Sequence, residues 1–139
     1  MPRLKTYIVE DSFVIRENLI ATLEELAAID VVGTAEDERS AVAWLARPDR
    51  PVDLVIIDIF LKSGSGLGVL PVARALPRPC ELVVLTNYAT PDIRRRCLEL
   101  GADQVFDKSN EIDALILHCS RLAAARRGDG RRPGLAPPP

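Results

Sequence analysis

Short apolar runs alternate five times with amphipathic stretches, and this alternation restricts the possible folds more than any other feature of the chain. The runs are rich in β-branched residues and occupy residues 6–9, 31–35, 54–58, 82–86 and 104–106. Residues 54–57 and 82–85 are continuously apolar, as expected for central parallel strands that are covered on both faces. Right-handed crossovers between such strands would place helices on both faces of one sheet. The sequence therefore predicts an α/β fold, (βα)5, with a doubly wound parallel sheet.

The stretches between the runs have helical periodicity. The third helix follows Gly66. The fourth has the clearest ends, because Thr90 can cap it, Pro91 suits its first position and Gly101 suits the position after its end. Asn110 is predicted to cap the fifth helix. The predicted buried stripes are Ile15, Leu19, Leu23 and Leu26 in the first helix, Ala41, Val42 and Leu45 in the second, Leu70, Ala73 and Leu76 in the third, Ile93, Cys97 and Leu100 in the fourth, and Ile112, Leu115, Ile116, Cys119 and Leu122 in the fifth.

Composition and charge exclude several classes of protein. A length of 139 residues corresponds to one domain, and 18 basic against 20 acidic residues give a net charge of −2, which argues against a nucleic-acid-binding surface. No stretch approaches the roughly 18 apolar residues of a membrane span, and the N-terminus does not resemble a signal peptide. Cys80, Cys97 and Cys119 lack the spacing of a metal site. They are predicted to be buried thiols in a reducing cytoplasm.

The chain changes character at residue 126. Seven of the last fourteen residues are Gly or Pro, and the segment is rich in Arg. Such a composition buries too little apolar surface to order itself. We therefore predict one folded domain over residues 1–125 and a disordered Arg/Gly/Pro-rich tail over residues 126–139.

Four of the five predicted strands end in, or are followed by, a charged or hydroxyl residue. Glu10 and Asp11 follow the first strand, Asp58 ends the third, Thr86 ends the fourth and Lys108 follows the fifth. In doubly wound sheets, ligands bind beyond the carboxyl ends of the strands. The sequence therefore predicts a functional site at this edge.

These residue types suit metal-assisted phosphoryl transfer. Three neighbouring carboxylates repel one another unless a cation lies among them, and oxygen ligands completed by water suit Mg²⁺. A carboxylate on a rigid strand beside that metal can attack a phosphoryl group and become an aspartyl phosphate, a role that we assign to Asp58. The Lys108 ammonium and the Thr86 hydroxyl would stabilise charge on the transferred group.

A family resemblance rests on four short segments, Val9-Glu10-Asp11, Ile57-Asp58, Leu85-Thr86 and Asp107-Lys108. Because their order and the intervening units agree as well, the chain over residues 4–124 resembles the receiver domain of two-component response regulators. The resemblance implies a flavodoxin-like strand order, 2-1-3-4-5.

The resemblance also implies a set of metal ligands. By this likeness, Asp58 is the phosphoacceptor and a ligand of Mg²⁺. Asp11 would bind the ion directly, and Glu10 would bind it through water. The backbone carbonyl of Phe60 would complete the ligands that the protein supplies.

The resemblance also implies roles in switching, and one departure from the family pattern affects them. Lys108 would contact the phosphoryl group, and Thr86 would move towards it on activation. The family often has an aromatic residue three positions before the lysine, where this chain has Val105. Its aromatic residue, Phe106, comes one position later and is predicted to lie on the opposite face of the strand.

The function implied is that of a stand-alone receiver in the cytoplasm, phosphorylated by a sensor histidine kinase or a phosphotransfer protein. It would signal to an unidentified downstream protein through its fourth helix, fifth strand and fifth helix. Neither nucleic acid nor a membrane is expected as a partner. A homodimer is compatible with this function. It would be no enzyme beyond catalysing its own phosphorylation and dephosphorylation.

Three other functions are open to a chain of this kind. The main alternative is a receiver-fold interaction module that works without phosphorylation, against which the intact set of site residues argues. A magnesium-dependent phosphatase using Asp58 would need a second acid near the nucleophile, and Phe60 cannot serve as one. A DNA-binding regulator is disfavoured because residues 126–139 hold no helix-turn-helix.

Other motifs predict structure rather than chemistry. The glycine-rich segment 64–68 lacks the spacing of a phosphate-binding loop and is interpreted as a flexible loop. His118 lies inside the fifth predicted helix without an Asp or Cys that would orient it, and it is predicted to have a surface or packing role. The arginines at 94–96 are predicted to form a solvated face, with an acidic partner as the alternative. Trp44 is predicted to pack its helix on the sheet.

Overall fold

The computed structural model of the protein describes residues 3–47 and 49–131, and the side chains of 126–131 lie outside the description. Strands and helices alternate throughout it. The strands are β1 (Leu4–Val9), β2 (Ile29–Ala35), β3 (Leu54–Ile57), β4 (Glu81–Thr86) and β5 (Gln104–Asp107). The helices are α1 (Phe13–Leu26), α2 (Glu38–Leu45), α3 (Gly66–Arg74), α4 (Pro91–Glu99) and α5 (Ile112–Arg131).

All five strands are parallel and lie in the order β2-β1-β3-β4-β5. This confirms the predicted doubly wound α/β sheet. Val9 at the end of β1 pairs with Ile57 at the end of β3, and Thr86 at the end of β4 pairs with Asp107 at the end of β5. The residues that follow these strands therefore emerge side by side.

Two apolar cores cover the two faces of the sheet. The first holds buried residues of α2, α3 and α4, and the second holds buried residues of α1 and α5. β3 contributes to both, because Val55 and Ile57 face the first core while Leu54 and Ile56 face the second. This two-sided burial explains why the central strands are continuously apolar.

Side-chain caps define where α1 to α4 begin. The capping residues, each accepting a backbone N–H of the first turn, are Ser12, Asp37, Ser65 and Thr90. Thr90, with Pro91 at the first helical position, confirms the prediction for α4. Gly101 follows that helix with φ +114, a conformation that glycine adopts without strain.

The predicted stripe of α1 is wrong at both ends. Leu19 and Leu23 are buried, but Ile15 is 39% exposed and Leu26 is 57% exposed. Ile15 instead lines the cleft at the carboxyl edge.

The last helix runs past the predicted end of the domain at residue 125. α5 continues to Arg131, so the backbone of residues 126–131 is helical where a disordered tail was predicted. Adding residues to an existing helix is easier than starting one, and the Ala and Arg residues at 123–127 have high helix propensity. Residues 132–139 of that tail lie outside the described residues, and the division of the chain at 125 stays a prediction.

The three cysteines are free and buried, as predicted. Burial raises the pKa of the Cys80 and Cys97 thiols and raises that of Cys119 to about 12. Thiols held neutral in this way react slowly, because the thiolate is the nucleophile. Among the described residues, no helix combines the length and the apolar character that crossing a membrane requires.

We expect the free energy of unfolding to fall as the pH rises from about 9 towards 12. Burial raises the pKa of Tyr7 and of Cys119 to about 12, from ordinary values of 10.0 and 9.0. The unfolded chain therefore loses these protons first, and alkali favours unfolding. Because a tenfold difference in proton affinity corresponds to about 1.4 kcal/mol, the two groups together should remove several kcal/mol.

Urea unfolding at about pH 8 and at about pH 11 measures this loss. The variant Cys119→Ala lacks one of the two groups, so its stability should fall less steeply with pH than that of the wild type. A fall as steep as that of the wild type would contradict the role of Cys119.

Candidate functional site

Three carboxylates meet at the carboxyl edge of the sheet. Glu10 and Asp11 follow β1, and Asp58 follows β3, its neighbour in the sheet. One oxygen of each of the three carboxylates lies within 4.8 Å of the other two. Glu10 and Asp58 are buried, whereas Asp11 is half-buried. The structure thus brings together the three acidic side chains predicted from the sequence.

Lys108 links two of these carboxylates. Its Nζ lies 2.5 Å from Oε1 of Glu10 and 2.8 Å from Oδ2 of Asp58, with all three side chains at most 8% exposed. Burial lowers the pKa of Lys108, but the hydrogen bonds to Asp58 and Glu10, together with the attraction of their negative charges, outweigh burial and raise it overall. The ammonium therefore stays charged and offsets part of the negative charge at the site.

Glu10 is held from two sides. The backbone N–H of Ser12 donates to its Oε2 at 3.0 Å, and Nη1 of Arg16 donates to its backbone carbonyl at 2.8 Å. Arg16 is buried, and its guanidinium lies over the Phe13 ring. Burial raises the pKa of Glu10, while hydrogen bonds from Lys108 and Ser12 act against that shift. Arg16 could not be identified from the sequence, because nothing in the spacing of α1 marks this arginine as buried.

Thr86 lies on the same edge at the end of β4. Its side chain is fully buried, and its Oγ1 accepts a hydrogen bond of 3.3 Å from the backbone N–H of Tyr88. Its carbonyl accepts a 2.9 Å hydrogen bond from the N–H of Lys108. The backbones of the two residues predicted to contact the phosphoryl group are therefore joined by one hydrogen bond.

Phe60 is placed by Asp58 and by the start of α3. Its N–H donates to Oδ1 of Asp58 at 3.2 Å, and it forms an antiparallel bridge with Ser65. Gly66 is required close by, because a Cβ at this position would collide with the carbonyl of Asp58. A cleft of about 190 Å³ opens over the site, lined by Glu10, Asp11, Ser12, Ile15, Asp58, Phe60, Thr86, Asn87, Tyr88 and Lys108.

Two aromatic rings stand at the mouth of this cleft. Phe60 and Tyr88 meet edge to face, with ring centroids 4.9 Å apart and an interplanar angle of 74°. They are 48% and 60% exposed, so one side of the pair faces solvent. Edge-to-face contacts of this kind are favourable, and they keep the two rings together.

The sequence of the chain matches the family model of the response regulator receiver domain over residues 6–120. The chain belongs to this family.

Curated relatives of this receiver are longer proteins. It is 31% identical to a probable transcriptional regulatory protein of Picosynechococcus sp. over 125 residues, covering 86% of this chain and 49% of that protein. It is 37% identical over 103 residues to the phosphate regulon transcriptional regulatory protein PhoB of Klebsiella pneumoniae. That match covers 73% of this chain and 43% of PhoB. It is also 32% identical over 143 residues to a protein-glutamate methylesterase/protein-glutamine glutaminase of Anaeromyxobacter dehalogenans. That match covers 96% of this chain and 39% of the relative. The chain thus spans less than half of each of these relatives.

Solved structures share the fold of this receiver. A LuxR-family two-component response regulator from Aurantimonas sp. has a TM-score of 0.78 at 20% identity and covers 88% of this chain and 86% of its own. A response regulator from Burkholderia pseudomallei, described with a phosphorylated aspartic acid, a calcium ion and citrate, has a TM-score of 0.70 at 20% identity. That match covers 91% of this chain and 72% of the other.

Arg94 of this receiver turns inward, although the arginines at 94–96 were predicted to form a solvated face. Its guanidinium donates to the carbonyls of Ala89 at 3.0 Å and Val105 at 2.9 Å, and it forms a 2.7 Å ion pair with Glu111. This side chain joins the loop after β4 to β5 and to the start of α5. Arg95 and Arg96 are exposed, as predicted.

Val105 and Phe106 lie on opposite faces of β5, as predicted. Val105 packs in the first core, on the side of α4, and Phe106 packs in the second, on the side of α5. Arg94 donates to the backbone carbonyl of Val105, while the Val105 side chain packs in the apolar core.

His118 has an acidic partner that sequence analysis missed. Its Nε2 lies 2.9 Å from Oε2 of Glu81, at the start of β4. The Phe106 ring lies 5.8 Å from the imidazole ring, centroid to centroid. The two partners are 37 residues apart in the sequence, so only the folded chain brings them together. A packing role between α5 and the sheet agrees with this position.

Proposed function

We propose that this receiver accepts a phosphoryl group on Asp58, in a Mg²⁺-dependent reaction with a sensor histidine kinase or a phosphotransfer protein. The observation that carries the proposal is the placement of Asp58. It follows a buried strand, has its carboxylate close to those of Glu10 and Asp11, and lies 2.8 Å from the ammonium of Lys108. A nucleophile, metal-binding oxygens and a fixed positive charge thus meet at one point.

The residues at this edge fit a magnesium ion. Their donor atoms are carboxylate oxygens on Glu10, Asp11 and Asp58, the hard ligands that Mg²⁺ prefers. The carbonyl of Phe60 would complete the protein ligands, and water would fill the remaining positions. When bound, Mg²⁺ supplies positive charge that offsets repulsion between Asp58 and the incoming phosphoryl group.

Each remaining group has a role in the transfer. An oxygen of Asp58 forms the new bond to phosphorus, the bond between phosphorus and the donor's histidine nitrogen breaks, and its electron pair stays on that nitrogen. The ammonium of Lys108 neutralises charge on one phosphoryl oxygen, and the hydroxyl of Thr86 donates to another. In the hydrogen bond with Tyr88, Oγ1 of Thr86 is the acceptor, so that bond does not use the hydroxyl proton.

The phosphorylated receiver would act through contacts with a downstream protein on the face formed by α4, β5 and α5. We propose that it does so in the cytoplasm, as a stand-alone receiver that is no enzyme beyond its own phosphorylation and dephosphorylation. Three further statements stay predictions. They are that the receiver forms a homodimer, that it has no nucleic-acid or membrane partner, and that, as the alternative function, it signals without phosphorylation. The complete set of site residues argues against that alternative.

Labelling of the wild-type protein tests the proposal. The protein is incubated with a small phosphodonor in the presence of Mg²⁺ or of a chelator, and the modified residue is located by mass spectrometry. We expect a single phosphoryl group on Asp58 with Mg²⁺ and little with the chelator. Labelling elsewhere, or equal labelling without metal, would overturn the proposal.

The aromatic pair at the mouth of the cleft predicts a long-lived phosphorylated state. Hydrolysis needs a water molecule in line with the bond from Asp58 to phosphorus, and Phe60 and Tyr88 restrict access to the cleft. We expect Phe60→Asn to lose its phosphoryl group about tenfold faster, because a polar side chain there admits and orients water. Loss of label is followed over time after the phosphodonor is removed.

A control replaces an exposed apolar side chain at the end of α1, which does not line the cleft. Leu26→Asn should lose the phosphoryl group at the rate of the wild type. Equal or slower loss from Phe60→Asn would remove the shielding argument.

A further inference from the structure

The loop between β3 and α3 has little stiffness of its own. It includes Lys62-Ser63-Gly64, and Gly64 has φ +77, a backbone conformation that glycine adopts freely. Inside the loop, Phe60 pairs with Ser65, and the N–H of Gly66 donates to the carbonyl of Ile59 at 2.9 Å. These contacts join the two ends of the loop. The position of residues 62–64 between them therefore depends on contacts with the rest of the protein.

Glu38, the first residue of α2, holds the loop at two points. Its backbone N–H donates to the carbonyl of Ser63 at 3.3 Å, and its Oε1 accepts the N–H of Ser65 at 2.8 Å. Ser65 in turn caps α3, because its Oγ accepts the N–H of Leu67 at 3.0 Å. One glutamate thus connects the start of α2 with the end of the loop and the start of α3.

Two glycines make room for this carboxylate. A Cβ at Gly64 would lie 2.6 Å from Cβ of Glu38, and a Cβ at Gly68 would collide with the carboxylate. Side chains at 64 and 68 would therefore displace Glu38 from its present position. The glycine-rich segment 64–68, interpreted from the sequence as a flexible loop, is shaped around one acidic side chain.

Fixing Ser65 also fixes Phe60, its partner in the antiparallel bridge. The N–H of Phe60 donates to Asp58, and the carbonyl of Phe60 is the metal ligand named in the proposed function. We propose that Glu38 is a positioning residue for the phosphorylation site, which holds the loop so that Asp58 and Phe60 bind Mg²⁺ together. The inference rests on the proposed function, because it concerns the same site.

Removing Glu38 should weaken Mg²⁺ binding without removing any ligand. We expect Glu38→Ala to bind Mg²⁺ about tenfold more weakly than the wild type. This is the lower end of the loss of affinity seen when residues that orient metal ligands are removed. Titration calorimetry with magnesium chloride measures the affinity. Glu38→Gln keeps an oxygen that can accept the Ser65 N–H, so it should restore most of the affinity. Glu36→Ala, which removes an exposed carboxylate just before α2, should bind like the wild type.

A second variant leaves every atom of Glu38 in the chain. Gly68→Ala places a methyl group where the carboxylate lies, so it should also weaken Mg²⁺ binding about tenfold. Alanine favours a helix over glycine, so the same variant should not lower the melting temperature through helix propensity. In the double variant Glu38→Ala/Gly68→Ala, the second change should add no further loss, because both act on one contact.

The outcomes separate this inference from the proposed function. If the wild type binds Mg²⁺ and both Glu38→Ala and Gly68→Ala bind it with the same affinity, the role of Glu38 is overturned. The proposed phosphorylation site is unaffected by that result. Weak binding by Glu38→Gln as well as Glu38→Ala also overturns it, because charge rather than position would then explain the effect. No binding by the wild type overturns the proposed function and this inference with it.

Discussion

Asp58→Asn is expected to abolish labelling by a phosphodonor while the protein stays folded. Asparagine has nearly the same shape and keeps an oxygen that can accept the Phe60 N–H, but its amide cannot attack phosphorus. Lys108 retains its ion pair with Glu10 in the variant. The loss of one of three clustered carboxylates also lowers their repulsion, so the melting temperature should not fall.

Mass spectrometry after labelling, with thermal melting of the same samples, measures both parts of this result. Asp113→Asn, which neutralises an exposed carboxylate in the first turn of α5, is a matched control and should be labelled like the wild type. If Asp58→Asn were labelled as fully as the wild type, Asp58 would not be the phosphoacceptor.

Lys108→Ala is expected to lower the free energy of unfolding by about 3–5 kcal/mol in metal-free buffer. The substitution leaves the buried carboxylates of Glu10 and Asp58 without their common cation. Because the ammonium is not a metal ligand, the variant should still bind Mg²⁺. Mg²⁺ should therefore recover part of the lost stability. At a Mg²⁺ concentration a hundred times the dissociation constant of the variant, the free energy of unfolding should rise by about 2.7 kcal/mol.

The same variant should fail to transmit phosphorylation. Without the Lys108 ammonium, nothing draws the phosphoryl group towards β5, so hydrogen exchange in α4, β5 and α5 should not change on labelling. Lys5→Ala removes an exposed lysine on β1 and should match the wild type in stability and in exchange. A Lys108→Ala protein with wild-type stability in metal-free buffer would show that the ion pairs contribute nothing.

The parallel sheet and the acidic site could be predicted because each depends on local sequence, whereas the strand order followed from the family resemblance. A continuously apolar run marks a strand that is covered on both faces, and a charged residue at its end must emerge at the carboxyl edge. Asp58 after β3 and Lys108 after β5 are examples, and the structure places their side chains 2.8 Å apart.

The contacts that hold the site could not be predicted, because they join residues distant in sequence. Glu38 and Ser65 are 27 positions apart, and Arg94 and Glu111 are 17 apart. On the exposed turn of a helix, any charged residue has the same local pattern whether it faces water or a neighbouring loop. Arg94 was therefore assigned to a solvated face, although its guanidinium lies against β5.

Trp44, on α2, is the only tryptophan in the chain. Its ring stacks on Tyr7 of β1 with centroids 4.0 Å apart, and the guanidinium of Arg50 lies 5.2 Å from the centroid of the indole ring. Indole fluorescence from this protein therefore arises from one known place, the packing of α2 on β1. Glu38 lies less than two turns earlier on the same helix. The chain thus carries its own optical probe, placed on the helix that contacts the loop after Asp58.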